Sequence, residues 1–225
     1  MKNFLAFTLA ETLIVMGVIG IVAALTLPNL NSSTGDKEKV AKVKKIYQNL
    51  NDAFGRAEVV YGSADTWCVN YSGSCKKRVF GRLLEFIKLS KICETVSAGC
   101  NIILDEGSDF EGTEYAAILA DGTVISFPNA FDILINIDGA KSKSIGGKNT
   151  FRFGLSHDKG CYTSGIMSNS SSYVSKNGQE SKRFDAIEAA DWVVNFDNMD
   201  YLKTSDGTTC PNGTKLTSGG NHSCK

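Results

Sequence analysis

The hydrophobic pattern divides the chain near residue 30. Residues 4–27 are apolar with few breaks, and no charged residue stands between Thr12 and Gly35. As a helix rising about 1.5 Å per residue, this run spans roughly 36 Å, enough for a hydrocarbon core of about 30 Å. Glu11 interrupts the run, and an unpaired carboxylate is costly in hydrocarbon. The pattern therefore predicts a membrane-spanning helix whose acid needs a partner.

A second, amphipathic pattern follows. Apolar residues recur at alternating steps of three and four positions: Val40, Val43, Tyr47, Leu50, Phe54, Ala57 and Tyr61. This spacing predicts a helix that buries one face and stops at Gly62. Packing of the stripe on its own domain is favoured over a coiled coil with a partner, since about three heptads are short for a coil.

Residues 65–112 form an insert with four cysteines: Cys68, Cys75, Cys93 and Cys100. Within it, five apolar residues fall on one side of a helix: Val79, Phe80, Leu83, Leu84 and Ile87. The pattern predicts a helix over residues 79–89 and no strand in the insert.

Short apolar runs replace the helical spacing from Tyr115 onward. Two of them flank Asp121-Gly122, and Asp-Gly supplies the positive φ that a tight hairpin needs. Residues 131–137 and 151–155 predict two further strands. Beyond Ser156 the chain is rich in Ser, Asn and Gly and is expected to be mostly loop. Within it, residues 181–190 predict a short helix and residues 192–196 alternate like a strand.

The order of residues at the start of the chain adds a second kind of signal. Lys2 opens a six-residue leader, followed by Phe7-Thr8-Leu9-Ala10-Glu11, the apolar run and Pro28. This arrangement resembles the class III signal of type IV prepilins and type II secretion pseudopilins. The resemblance implies cleavage between Ala6 and Phe7 by prepilin peptidase and methylation of the new Phe7 amine. It also makes Glu11 the fifth mature residue and Pro28 the helix-kinking proline; Ala6 stands where glycine is usual.

The apolar run fits a secretory signal or an ordinary anchor less well. A secretory signal would have a shorter apolar core that ends at a small-x-small site, whereas this run continues into Thr26-Leu27-Pro28. An ordinary uncleaved anchor would leave the agreement of Phe7, Glu11 and Pro28 with the prepilin pattern unexplained.

The resemblance implies a pilin-like α+β fold. A long N-terminal helix would pack on a small antiparallel β-sheet, with the cysteine-bearing insert and a C-terminal loop added to it. Residues 1–6 would be the leader, 7–30 the membrane and filament-core helix, 31–62 its amphipathic continuation, and 63–225 the periplasmic globular domain.

The function implied is that of a structural subunit of a bacterial type II secretion pseudopilus or type IV pilus, and not an enzyme. The subunit would sit in the inner membrane as a single-pass protein and join a surface filament, where Glu11 would meet the Phe7 amine of a neighbour. Its partners would be other pilin or pseudopilin subunits, prepilin peptidase, the inner-membrane assembly machinery and the lipid bilayer. The alternative is a single-pass inner-membrane protein with a periplasmic ligand-binding domain.

Charge bears on partners and on topology. The chain has 24 basic and 24 acidic residues, so bulk charge indicates no nucleic-acid partner. Five lysines follow the apolar run, against Lys2 before it: Lys37, Lys39, Lys42, Lys44 and Lys45. The positive-inside rule would place them in the cytoplasm. The pilin resemblance and the cysteines favour a periplasmic domain instead, and we expect that topology.

Seven cysteines all lie beyond the apolar run, which suggests an oxidising compartment. They allow many pairings, so only proximity along the chain ranks them. Three local pairs are candidates: Cys68 with Cys75, Cys93 with Cys100, and Cys210 with Cys224. Pairings that cross between the first two pairs stay open. Cys161 is left over as the free or intermolecular thiol, and Cys210–Cys224 resembles the C-terminal disulfide loop of type IV pilins.

No enzymatic or metal-binding motif is complete. The chain lacks H-E-x-x-H and G-x-S-x-G, and the two C-x6-C spacings are wider than zinc sites favour. Some pseudopilins bind calcium, and the residues around Asn136 and Asp138 partly resemble an EF-hand loop. Leu134 and Ile145, however, occupy the first and last ligand positions of such a loop. No cofactor and no metal are therefore expected, although a calcium site assembled from distant loops, with Asp121, Asp138 or Asp158, stays open.

One loop also resembles a pilin-family segment. Residues 136–139 and 147–151 stand where many prepilin-like proteins have Asp-x-Asn-Gly and Gly-x-Asp-x-Phe around a loop. Asn149 replaces the second acid. Carboxylate pairing across the loop is therefore not expected from this sequence.

Overall fold

The computed structural model describes residues 8–67, 73–93, 100, 115–128, 132–140, 142, 144–156, 160–162, 173–174, 180–181, 186–204, 208–217 and 219–224. The chain forms two compact units, Met1–Glu38 and Lys39–Lys225. Helix α1 has the bounds Leu9–Tyr61, so both units contain residues of it.

The predicted amphipathic stripe of α1 is confirmed. Five of its residues are buried in the second unit: Val40, Val43, Leu50, Phe54 and Ala57. Tyr47 and Tyr61 pack at the margin of the same core. The helix ends at Tyr61 because Gly62 adopts a φ of 79°, the left-handed conformation that commonly stops a helix and that glycine adopts without strain.

The insert differs from the prediction. Helix α2 is Gly73–Leu84, so it begins before residue 79 and ends before residue 89. Strand β1, Leu89–Cys93, follows it, and the expectation of no strand in the insert is wrong. The chain leaves the helix through short turns in which the amides of Phe86 and Ile87 donate to carbonyls three residues earlier, and it then pairs with a distant strand.

The sheet is an antiparallel meander of six strands in chain order. After β1 come β2 (Ala116–Leu119), β3 (Val124–Ser126), β4 (Asp132–Asn136), β5 (Thr150–Ser156) and β6 (Gly160–Tyr162). The predicted hairpin at Asp121-Gly122 is confirmed, with Gly122 at a φ of 85°. Strands β7 (Tyr173–Val174) and β8 (Glu180–Ser181) form a separate pair.

One face of the sheet carries the main core. Alternate strand residues share a single buried cluster with the α1 stripe and α2: Ala117, Leu119, Ile125, Ile133, Ile135, Phe151 and Phe153. The ring of Tyr47 lies 5.5 Å from that of Phe153, which joins helix to sheet. Ala116 points to the other face, where it packs with the half-cystines Cys93 and Cys100 in a smaller cluster.

The C-terminal region contains a helix where a strand was expected. Helix α3 spans Ala186–Phe196 and packs on β5. The short helix predicted over residues 181–190 therefore begins later than expected and continues through residues 192–196, where the predicted strand is wrong. Trp192 and Phe196 are four residues apart, a spacing that also places two side chains on one helix face, and their ring centroids lie 4.7 Å apart. The adjacent residues Trp192 and Val193 are both buried, as a helix permits and a two-sided alternation does not.

Candidate functional site

Apolar side chains cover every side of α1 near its start. Nine large ones are each 54–79% exposed: Leu9, Leu13, Ile14, Val15, Met16, Val18, Ile19, Ile21 and Val22. Four of them are consecutive, and successive residues of a helix point about 100° apart, so no side of this segment is polar. A helix that is apolar all round is typical of buried surroundings, either in a large protein core or in a membrane. We call residues 9–22 the apolar segment.

Glu11 forms a capping box with Thr8 at the start of the apolar segment. The Thr8 amide and hydroxyl both donate to Glu11 Oε2, at 2.9 and 2.8 Å, and the Glu11 amide donates back to Thr8 Oγ1 at 3.3 Å. Such a box satisfies amide groups that the first turn of a helix leaves without partners. The Thr-x-x-Glu spacing was readable in the sequence and was not recognised there.

The structure does not test the predicted cleavage between Ala6 and Phe7. Ala6 and Phe7 lie outside the described residues. Pro28 lies within the bounds of α1, and its side chain is outside the described part, so the kink stays a prediction. Over the part of the chain that is described, no helix is long and apolar enough to cross a membrane.

Three of the five lysines that follow the apolar run join α1 to loops of its own domain. Lys39 Nζ lies 3.4 Å from Asp138 Oδ2, and Lys42 Nζ donates to the carbonyl of Ile137 at 2.6 Å. Lys44 pairs with Asp197, directly after α3. Their positions beside the apolar run therefore have a structural explanation within the domain, which sequence reasoning missed.

The loop between β4 and β5 is closed by two asparagines. Asn136 Oδ1 accepts from the Asp138 amide at 3.0 Å, and Asn136 Nδ2 donates to Ser144 Oγ at 2.9 Å. Asn149 Oδ1 accepts from the Ile145 amide at 2.7 Å, which organises the loop through a neutral oxygen. An amide is sufficient at this position because the contact needs an acceptor and not a charge.

Two of the three favoured disulfides are present. Cys93 and Cys100 are bonded with Cα atoms 6.0 Å apart, and Cys210 and Cys224 with Cα atoms 5.4 Å apart. Cys75 is also disulfide-bonded, but Cys68 and the thiol of Cys161 lie outside the described residues. The Cys68–Cys75 pairing and the unpaired state of Cys161 therefore stay predictions.

Asp200 organises the end of the chain beside the Cys210–Cys224 disulfide. Only 7% of the residue is exposed. Its carboxylate accepts from Lys203 Nζ at 2.5 Å, from Ser223 Oγ at 2.8 Å and from the Cys224 amide at 2.8 Å. Burial raises its pKa, but these three donors together outweigh burial and hold the pKa of Asp200 below its ordinary value.

The carboxylates considered for calcium have other contacts. Asp121 Oδ1 accepts from the Thr123 amide at 3.0 Å, Asp138 pairs with Lys39, and Asp158 lies outside the described residues. Among the side chains that are described, no group of three or more His, Cys, Asp or Glu residues could hold a metal ion.

Comparison with known proteins adds no assignment. No family model matches the chain, and neither the curated proteins nor the solved structures contain a match.

Proposed function

We propose that this chain is a structural subunit of a type II secretion pseudopilus or type IV pilus, and that it assembles through the apolar segment. The observation that supports this most directly is the exposure of nine large apolar side chains around one helix. Burying them would remove several hundred Å² of apolar surface from water, at about 25 cal/mol per Å². The bilayer would cover that surface before assembly, and equivalent helices packed side by side would cover it afterwards.

The proposal includes maturation and a membrane stage. Prepilin peptidase would cut between Ala6 and Phe7, and the bilayer would hold the subunit until assembly, as the apolar run of the sequence suggests. Glu11 would then meet the Phe7 amine of a neighbour. In that step the carboxylate would exchange its neutral Thr8 donors for a charged one, and charge-assisted hydrogen bonds are the stronger kind.

The role of the domain in this proposal is structural and not catalytic. The C-terminal half of α1 is held to the domain by Lys39, Lys42 and Lys44. The domain would therefore enter the assembly together with the helix. The domain would lie in the periplasm and then on the filament surface, where its disulfides suit an oxidising environment.

The test is the mature N-terminus together with assembly. The chain would be produced in bacterial cells with and without an active prepilin peptidase, purified from membranes and measured by intact mass spectrometry. We expect a chain that begins at N-methylated Phe7 only when the peptidase is active, and sedimentable assemblies only from that chain. An unprocessed chain that stays monomeric with active peptidase would reject the proposal and favour an uncleaved anchor with a ligand-binding domain.

A further inference from the structure

The two cysteines of the C-terminal disulfide are each held by contacts that do not involve the bond. On one side, Cys210 begins a tight turn: its amide donates to the carbonyl of Thr214 at 2.8 Å, and the Gly213 amide donates to the carbonyl of Cys210 at 2.9 Å. Gly213 adopts a φ of 81°, which fits glycine, and Cys210 is buried. The backbone of Cys210 is therefore fixed locally.

On the other side, Asp200 holds the segment that carries Cys224. Two of its three donors, the Ser223 hydroxyl and the Cys224 amide, belong to that segment and lie 23 and 24 residues away in sequence. Because the carboxylate is nearly buried, losing either donor would leave part of a desolvated charge without compensation. The contact is therefore specific for this placement of residue 224.

Asn198 and His222 strengthen the same attachment. Asn198 Nδ2 donates to the carbonyl of His222 at 2.9 Å, while Asn198 Oδ1 accepts from Trp192 Nε1 at 3.0 Å and from the Asp200 amide at 2.9 Å. The His222 ring stacks on Phe196, with centroids 3.8 Å apart and planes inclined by 14°. The segment thus contacts α3 and the turn after it through atoms that are not part of the disulfide.

From these contacts we propose that Asp200 is a positioning residue for the Cys210–Cys224 disulfide: it docks residues 222–224 while both cysteines are still thiols. Docking raises the effective concentration of one thiol at the other and so favours closure of the bond. Asn198 supports the same docked geometry. The disulfide then locks an arrangement that already exists, instead of creating it.

With a disulfide reagent such as oxidised glutathione as the oxidant, the Cys210–Cys224 bond forms in two thiol–disulfide exchange steps. The thiolate of one cysteine attacks a glutathione sulfur, giving a mixed disulfide and one reduced glutathione. The second thiolate displaces the other glutathione and forms the Cys210–Cys224 bond. Two thiol protons are released and are taken up by the two glutathione thiolates, so the docked segment alters only the equilibrium of the second, intramolecular step.

The experiment measures the oxidised fraction of this one pair in glutathione redox buffers. Trypsin cuts after Lys203 and Lys215, so Cys210 and Cys224 fall on separate peptides, 204–215 and 216–225, that stay joined only by the disulfide. After the free thiols are alkylated, mass spectrometry gives the ratio of joined to separate peptides. At a known ratio of reduced to oxidised glutathione, this gives the effective concentration of one thiol at the other. For Asp200→Asn we expect this value to fall about tenfold or more, since hydrogen bonds to a charged group contribute at least that factor.

The matched control is Asp197→Asn, three residues earlier. Asp197 is exposed, pairs with Lys44 and has a φ of 57°, which asparagine tolerates. This control should leave the effective concentration unchanged, and Ser223→Ala should lower it by less than Asp200→Asn. Equal values for the wild-type chain, Asp200→Asn and Ser223→Ala would overturn the proposal.

A second measurement avoids disulfide chemistry. In a chain carrying Cys210→Ser and Cys224→Ser, the amide at position 224 should still be protected from hydrogen exchange, because its acceptor is the Asp200 carboxylate. Adding Asp200→Ala, which takes that acceptor away, should remove the protection. Rapid exchange at position 224 with Asp200 present would contradict the proposal, because the segment would then need the disulfide to dock.

Discussion

Glu11 combines two roles that different substitutions separate. It is the acid of the Thr8 capping box, and in the proposed assembly it pairs with a neighbour's amine. Glutamine also serves in a capping box, so Glu11→Gln keeps the cap and removes the charge. Thr8→Ala keeps the charge and removes the hydroxyl that accepts from the Glu11 amide, at a cost of about 1 kcal/mol in helix stability.

We expect Glu11→Gln to lower incorporation into sedimentable assemblies more than Thr8→Ala does. The physical reason is that the neighbour's amine requires a charge, whereas the cap requires only an acceptor. Incorporation would be measured as the fraction of each variant that pellets with wild-type subunits. If Thr8→Ala has the larger effect, Glu11 acts mainly through its cap and the proposed pairing is wrong.

Asp200 should make the free energy of unfolding of the domain depend on pH. Its pKa is lowered in the folded chain, so the charged form contributes stability that is complete above the ordinary aspartate value of about 3.9 and is lost as the pH falls through the lower folded value. We expect the stability difference between the wild-type chain and Asp200→Asn to be constant near neutral pH and to shrink below about pH 4. Urea unfolding from pH 7 to pH 3 would measure it, and a difference that grows with acid would show the opposite sign.

At the scale of elements, α3 allows a direct comparison of two adjacent valines. Val193 is fully buried in the helix and Val194 only partly, whereas the predicted strand would have buried Val194 with Trp192 and Phe196. We expect Val193→Ala to lower the free energy of unfolding by about 2 kcal/mol, through lost transfer energy and a small cavity. Val194→Ala should cost clearly less. The reverse order in denaturant unfolding would favour the strand.

Helix α1 shows how one element can have two surfaces. Near its start apolar residues occupy all sides, and after Lys39 they occupy one stripe that packs into the core. The lysines beside the stripe reach loops of the same domain, where they pair with Asp138 and Asp197 and donate to the Ile137 carbonyl. The element therefore changes from an all-round apolar helix to a one-sided one along its length.

At the scale of the whole molecule, the division into two units predicts what a truncation would do. The unit Lys39–Lys225 contains the stripe, the sheet and α3 in one core. A chain lacking residues 1–38 should fold, keep the near-ultraviolet circular dichroism of its buried tryptophans, and remain monomeric by light scattering. The full chain should associate unless detergent covers the apolar segment.

The control for this truncation is the full chain with Leu13→Lys and Val18→Lys, which places charges within the apolar segment and leaves the second unit unchanged. It should associate far less than the wild-type chain. Association of the truncated chain to the same extent as the full chain would show that another surface drives it.

The sequence by itself determined the features that depend on near neighbours. The all-round apolar run, the stripe ending at Gly62, the Asp121-Gly122 hairpin and the Cys210–Cys224 disulfide depend on residues close in the chain, where spacing limits the geometry. Proximity also ranked Cys93 with Cys100, but the structure was needed to choose that pair over the crossed pairings. The capping box was equally local and was overlooked.

Only the tertiary structure decided the rest. Residues 89–93 form a strand because they pair with β2, more than twenty residues later. Residues 192–196 form a helix that packs on β5, and the sequence could not show this because a spacing of four residues fits both a helix and a strand over so short a run. Lys39 and Lys42 find acceptors 99 and 95 residues away, and Asp200 finds its donors 23 and 24 residues away. Such contacts leave no periodic trace in the sequence, because the fold brings their partners together and chain spacing does not.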